Sequence, residues 1–388
     1  MRYPEGYLFE WATAHLRGWE VGIVSIGACM ASERVAVKAT GQPRSPASPF
    51  APLSRQVREA GLLGRARAFY AWVLGGLCAA LAAAGVGFVL LGDSWFQLLV
   101  AAALGIVLTQ FAFVAHEALH HQVLNPGPGN ERLGRAIANG VIGISHSWWV
   151  SKHNRHHANP NQRGKDPDIE FDTISFVEES AATRKGLAGA FTRRQGYLFF
   201  PVLVLEGLNL HFTSIRSLLA SDRSRARSAE LAVIAIRLGL YIGILLWLLP
   251  VGLAASFFAV QMAVFGVYMG ASFAPNHKGM PIISAESKLD FLRKQVLTSR
   301  NITGGGFMTF LLGGLNFQVE HHLVPSMPRP HLRRASALVR AHCADHRLPY
   351  TETTLVRSYG IVIRYLNRVG LAARDPFDCP ARRSLGSA

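Results

Sequence analysis

Cysteine is scarce in this sequence, and so is charge. Its four cysteines, Cys29, Cys78, Cys343 and Cys379, are scattered with no CxxC pair, so neither a disulfide framework nor a thiolate metal site is indicated. Only 16% of its 388 residues are charged while 50% are hydrophobic, which favours one membrane domain with cytosolic parts over two soluble domains. Acidic residues are also few, 24 against 40 Lys and Arg, for a net charge of +16. The basic residues lie outside the apolar runs and form no aromatic-interleaved motif or recognition helix, which argues against nucleic-acid binding. Basic loops flanking membrane spans are the simpler account. No repeat of solenoid period is visible, and low complexity is confined to residues 38–50.

The N-terminal stretch lacks the basic start and cleavage site of a secretory signal. Its apolar run from Val21 to Cys29 is too short to span a bilayer. Met30 is therefore expected to be the true start, with 1–29 an extension. The domain expectation is a disordered segment over 1–49, an integral-membrane domain over 50–370 and a flexible tail over 371–388. A surface helix is predicted from Pro52 to Arg67.

What is present is first of all apolar length. Runs at 70–91, 95–115, 231–249 and 251–274 each approach the ~20 residues a helix needs to cross the hydrocarbon core. They form two hairpins with short turns, Gly92-Asp93-Ser94 and Pro250-Val251-Gly252, neither carrying Lys or Arg. Arg65 and Arg67 precede the first run, and Arg223, Arg225 and Arg227 precede the third. The positive-inside rule then puts both hairpin tips outside and the rest in the cytosol. The stretches 133–150 and 197–220 are interrupted by polar residues and read as interfacial or re-entrant helices. Arg237, inside the third run, is expected to snorkel or face the bundle. The predicted fold is an all-α membrane protein: four transmembrane helices in two hairpins, interfacial helices, and a cytosolic helical cap.

Histidine is the second abundance, with 15 in the chain. His116-Glu117-Ala118-Leu119-His120-His121 closes the second run, and His116 and His120 share a helical face. His153-Asn154-Arg155-His156-His157 has spacing i, i+3, i+4, and Gln318-Val319-Glu320-His321-His322 repeats it with Gln first. The inferred topology brings all three clusters, and Asn276-His277 after the fourth run, to one face of the membrane. Neutral imidazoles suit divalent first-row metals, and about eight are too many for one ion. Two metals is the natural reading, and iron the usual choice where oxygen is activated. His116-Glu117-x-x-His120 also matches the HExxH pattern of zinc proteases, but a single zinc needs three protein ligands and leaves two clusters unexplained. Interfacial cationic patches would not explain the repeated spacing.

HEALHH, HNRHH and QVEHHLVP resemble the three histidine boxes of membrane fatty-acid desaturases, and Gln318 with Leu323-Val324-Pro325 is similar to the acyl-lipid and front-end branch. The segment from Ser272 to Met280 resembles the stretch that supplies an extra ligand. The resemblance runs from about residue 50 to 370. It implies that His116, His120, His153, His156, His157, His277, His321 and His322 bind two iron ions, with His121 as a further ligand or its neighbour. Gln318 and Asn276 are implied as supporting or water-mediated partners, and Asp166, Asp168 and Glu170 as residues orienting the imidazoles. His146 and His211 match no box and read as structural.

The implied reaction is oxygen-dependent desaturation of a fatty-acyl chain carried by CoA, a carrier protein or a lipid, at the cytoplasmic face. Many front-end relatives carry a fused cytochrome domain with a His-Pro-Gly-Gly motif. That motif does not occur here, so electrons are expected from a separate ferredoxin or cytochrome-type donor and its reductase. A hydroxylase or ketolase of the same superfamily is the alternative.

Overall fold

The structure, a computed structural model, describes residues 48–170, 173–220 and 224–373. The question of Met30 and the tail beyond Ala373 lie outside the described residues. The first helix, α1 (Ala51–Glu59), is shorter than expected, because the chain turns at Gly61, whose φ of 71° suits glycine. Then come α2 (Arg67–Leu91) and α3 (Gln97–Leu119), the first hairpin. Large apolar side chains on α2, such as Trp72 and Leu90, are about 80% or more exposed, as expected of a helix whose outer face meets lipid.

α4 (Pro128–Arg135) runs into a π-helical turn, Ala136–Ile142, which the left-handed Gly143 ends. α5 (His146–Ala158) starts at Ser145, whose side chain accepts from the Trp148 N–H. The stretch read as interfacial over 133–150 is thus two helical pieces with a break at residues 143–145. α6 (Gln195–Val202) contains Pro201 and passes through a 3-10 turn, Leu203–Leu205, into α7 (Glu206–Ala220). α8 (Arg225–Leu248) and α9 (Val251–His277) form the second hairpin. Its turn is Leu249-Pro250 rather than Pro250–Gly252, since Pro250 caps α9 and the helix takes in Val251. Arg237 does face the bundle: its Nε donates to Val141 O at 3.0 Å.

Among the described residues, five helical stretches are long and apolar enough to cross a membrane: α2, α3, the combined α6–α7, α8 and α9. α3 and α9 pack closely, since a Cβ at Gly105 would stand 2.9 Å from Gln261 O. α7 crosses α9 with backbones nearly touching, Gly207 against Met262 O and Gly266 against Gly207 N.

The cap comprises α10 (Phe291–Thr298), α11 (Gly305–Leu311), α12 (Gln318–Leu323), α13 (Leu332–Asp345) and α14 (Leu355–Gly370). Leu53 and Val57 of α1, Val319 of α12 and Val339 of α13 share one apolar core. Among the described residues the fold departs from all-α at a short ladder, where β1 (Asn301–Thr303) pairs in parallel with β2 (Glu352–Thr354), Ile302 opposite Thr353. This short ladder ties the approach to α11 to the start of α14.

Candidate metal centre

Four helix segments carry the histidines to one place. α3 ends just past His116, and His120 is its C-cap. α5 presents His153, His156 and His157, and the single short helix α12 presents His321 and His322. α9 ends at His277 through an irregularity. Pro275 lacks an N–H, and the Ala271 carbonyl it would have served accepts from Tyr359 Oη at 2.8 Å. The Pro275 carbonyl accepts from Arg300 Nε at 2.9 Å and Ser358 Oγ at 2.7 Å. Arg300 is itself 2% exposed, so a buried guanidinium fixes the end of α9 and with it His277.

The ring nitrogens converge in two groups. One holds His116, His120, His153, His157 and His321; the other holds His156, His277 and His322, with ligand atoms in each within 4.8 Å of one another. His153 Nε2 lies 2.9 Å from both His116 Nε2 and His120 Nε2, and His157 Nε2 lies 3.1 Å from His321 Nε2. In the second group His156 Nε2 and His277 Nε2 are 3.3 Å apart. The groups adjoin, because His157 of the first stacks on His322 of the second with ring centroids 4.2 Å apart.

The outward nitrogens decide what the inward ones offer. His156 Nδ1 faces both Asp166 oxygens at 3.0 and 3.1 Å, His277 Nδ1 faces Thr298 O at 2.9 Å, and His322 Nδ1 faces Gln295 Oε1 at 2.9 Å. All three partners only accept, so each Nδ1 carries the proton and each Nε2 turns its lone pair inward, that of His277 also meeting the Gln318 amide N–H. Lone pairs facing at 3.3 Å repel unless a cation lies among them, and His322 Nε2 is buried with no hydrogen-bond partner. Two imidazoles sharing a first-row ion at bonds of about 2.0–2.1 Å hold their nitrogens roughly 3–4 Å apart. The donor set therefore fits metal ions. Burial, then the neighbouring rings, push His153, His157, His321 and His322 well below the usual histidine range, keeping them neutral. Burial opposes the charged form of His156 as well, but Asp166 and Asp168 outweigh it and raise that histidine.

The remaining expected residues divide. Asp166 is buried on His156, and Asp168, 3.5 Å from His156 Nδ1, pairs with Lys152 at 2.9 Å. Glu170 is exposed and is not brought in. His121 is not brought in either: with φ 57° it has left the helix, and its side chain is exposed. Gln318 and Asn276 lie behind His277. Asn276 Nδ2 donates to Leu315 O and Gln318 Oε1, both at 3.0 Å, which turns the Gln318 amide so that its Nε2, 2.9 Å away, faces His277 Nε2. Gln318 thus offers an N–H, not a lone pair. His146 packs its ring beside Gly134, and His211 is held by the Gly207 and Ile142 carbonyls; neither joins the cluster.

Glu117 points away from the histidines. Its carboxylate takes Arg329 Nε at 2.7 Å and a second guanidinium nitrogen at 2.6 Å, with both side chains under 5% exposed. Tyr70 Oη donates to it at 3.2 Å. A general base in an HExxH hydrolase must reach a metal-bound water, and this carboxylate is committed elsewhere. Gln295, Thr298, Arg300 and Arg329 were not legible as site residues: they act through single amide, carbonyl or guanidinium contacts that no sequence spacing records.

A family model for fatty acid desaturase matches residues 93–354. The chain is 29% identical over 309 residues to a Delta(8)-fatty-acid desaturase of Helianthus annuus, covering 76% of this chain and 67% of that one. It is 29% identical over 287 residues to an acyl-lipid (9-3)-desaturase of Physcomitrium patens, 71% of this chain and 54% of the relative. A Delta(8)-fatty-acid desaturase of Euglena gracilis is 28% identical over 313 residues, 77% of this chain and 73% of its own length. The chain thus spans from about half to about three quarters of the length of these relatives. All eight converging histidines fall inside the matched region, and the chain belongs to the fatty acid desaturase family.

Proposed function

We propose that the protein is an integral-membrane enzyme that desaturates a fatty-acyl chain at a two-iron centre on the cytoplasmic face. The observation that carries this is the pair of adjoining histidine groups with inward lone pairs. The ligands would be His116, His120, His153, His157 and His321 for one ion and His156, His277 and His322 for the other. His121, Gln318 and Glu170 are left out of the ligand set.

Bound iron would supply the oxidising power to take hydrogen from an unactivated methylene, with oxygen as co-substrate. One acyl CH2–CH2 pair, one O2, two electrons and two protons give CH=CH and two waters. The protein's own part is position. Asp166, Gln295 and the Thr298 carbonyl hold three imidazoles in the ligand tautomer. Arg300 holds His277 in place through the end of α9. Electrons would come from a separate ferredoxin or cytochrome-type donor, for which the chain's +16 charge suits an acidic partner.

Helix direction supports four spans rather than five. α3 and α9 both finish at the histidine cluster, and so on the same face. α9 follows α8 through a two-residue turn, so α8 starts on that face too. A single crossing by α6–α7 between α3 and α8 would break this parity. Pro201, the 3-10 turn and the polar Glu206, Asn209 and Arg216 suit a helix lying at the interface. The arginines at the starts of α2 and α8 support a cytosolic assignment for that face.

The test is expression in a bacterial host with a matched reductase, followed by fatty-acid profiling. New unsaturated chains are expected, needing both oxygen and reductant, and lost in His157→Ala and His322→Ala while the protein stays in the membrane. Hydroxylated chains would select the hydroxylase instead. Parent-level activity in both variants would refute the two-metal centre.

A further inference from the structure

Between β1 and α12 lies the least polar stretch of the cap. Residues 301–319 contain no Asp, Glu, Lys, Arg or His, in a chain with 40 basic residues. Within it sits α11, bracketed by glycines with positive φ: Gly304 (147°) and Gly305 (69°) before, Gly313 (58°) and Gly314 (85°) after. These angles let the chain enter and leave the short helix sharply. Phe307 and Phe310 on α11 are 71% and 61% exposed, while Met308 and Leu311 pack with Phe113 of α3 and Tyr268 of α9.

The depth of α11 follows from what caps it. The last carbonyls of a helix lack internal partners. Here Leu311 O accepts from Tyr268 Oη at 2.7 Å, and Phe310 O, which also takes the Gly313 N–H at 3.2 Å, accepts from Gln110 Nε2 at 3.3 Å, with Gln110 Nε2 2.6 Å from the Tyr268 hydroxyl. Gln110 precedes His116 by six residues, about 9 Å along the helix, and Tyr268 precedes His277 by nine, about 13 Å. Measured from the other end of α3 at Gln97, Gln110 is about 20 Å into a hydrocarbon core of about 30 Å. The end of α11 is therefore below the histidines, on the membrane side. Non-helical backbone survives at such depth only where its polar groups are satisfied by protein, which accounts for two polar side chains placed inside spans.

We propose that residues 304–314 form a re-entrant segment inserted in the acyl-chain region of the bilayer, with Phe307 and Phe310 facing lipid tails. Ile106 of α3, one helical turn before Gln110, is also exposed. The segment leads directly into α12, so the ligands His321 and His322 are carried on a chain anchored among acyl chains. This rests on the reading of α3 and α9 as spans, not on the reaction assigned to the metals.

The test uses full-length protein in nanodiscs with the native cysteines replaced by Ala, carrying Phe307→Cys or Phe310→Cys with a nitroxide label. References are Ile106→Cys on α3 and Ala337→Cys on the exposed face of α13. Hydrocarbon dissolves oxygen and excludes a polar nickel chelate. The oxygen-to-nickel accessibility ratio at 307 and 310 should match that at 106 and exceed that at 337 by roughly tenfold, the partition expected of about 1.4 kcal/mol. Ratios at both positions like that at 337 would overturn the insertion. Spin–spin broadening that grows with protein-to-lipid ratio would assign the face to a second copy and also overturn it. If Ile106→Cys itself reads as aqueous, the span reading fails instead. Bound iron in each labelled protein reports that the fold is intact, and two independent positions guard against one failing to fold.

Discussion

Glu117 is the residue on which two accounts of the first histidine cluster part, and its substitution separates them. In the HExxH account Glu117 is a general base, so Glu117→Gln removes turnover and leaves the fold intact. In the arrangement seen here Glu117 is the buried partner of Arg329, held by two bonds of 2.7 and 2.6 Å. Tyr70 completes the contact, accepting from the Arg329 N–H at 3.3 Å and facing Gln122, which donates to Pro325 O at 2.7 Å. The pair thus joins α2, α3 and the cap. Removing one member of such a pair strands the other charge, at a cost of about 3–5 kcal/mol. At roughly 2–4 °C per kcal/mol for a chain of a few hundred residues, Glu117→Gln should lower the melting temperature by roughly 6–20 °C. Arg329→Met should cost the same, and the double variant should be no worse than either single, giving a coupling of at least about 3 kcal/mol. Thermal unfolding followed by tryptophan fluorescence, with bound iron measured alongside, is the assay. A Glu117→Gln protein with parent melting temperature and full iron but no turnover would refute the clamp.

Other substitutions test the histidine surroundings. Gln295→Leu removes the acceptor of His322 Nδ1 and the donor to His157 O; iron affinity should fall about 10–100-fold by chelator competition, with little loss if these contacts are idle. Because burial depresses His153, His157, His321 and His322, the folded chain keeps them neutral while the unfolded chain takes up protons below about pH 6.5. Stability of the metal-free protein should therefore fall as pH drops below that point, by up to about 1.4 kcal/mol per pH unit for each histidine, and denaturant midpoints that rise toward pH 5 would contradict it. Gly266→Val places a branched side chain against the backbone of α7; a clear loss of folded protein on gel filtration is expected, and a parent-like profile would mean that the helices separate easily.

Much of the fold was legible because bilayer thickness is a strict ruler. The four apolar runs reappear as α2, α3, α8 and α9; α3 and α9 continue a few residues past the apolar stretch, through His116 and His277. Less legible were elements whose shape depends on distant partners. β1 is three residues long and exists because β2, some fifty residues later, pairs with it. α11 contains four hydrophobic residues that read equally well as core, and only the contacts of Gln110 and Tyr268 reveal its depth.

The histidines were legible for a different reason: helical spacing of i, i+3 and i+4 fixes which rings share a face before any tertiary contact forms. Their sorting into two groups was not. His156 and His157 are adjacent in sequence on α5, yet one joins His277 and His322 while the other joins His116, His120, His153 and His321. Neighbouring residues on a helix diverge by about 100°, so a single turn of α5 can face two ions. The same turn explains why His121 falls outside: one step past the C-cap His120 the backbone leaves the helix, and the periodicity that made HEALHH look like three ligands no longer applies. Which histidines converge thus depends on the point where each helix stops. That point is held by residues outside the boxes, by Arg300 and Tyr359 at the end of α9 and by Arg329, which grips Glu117 beside the end of α3.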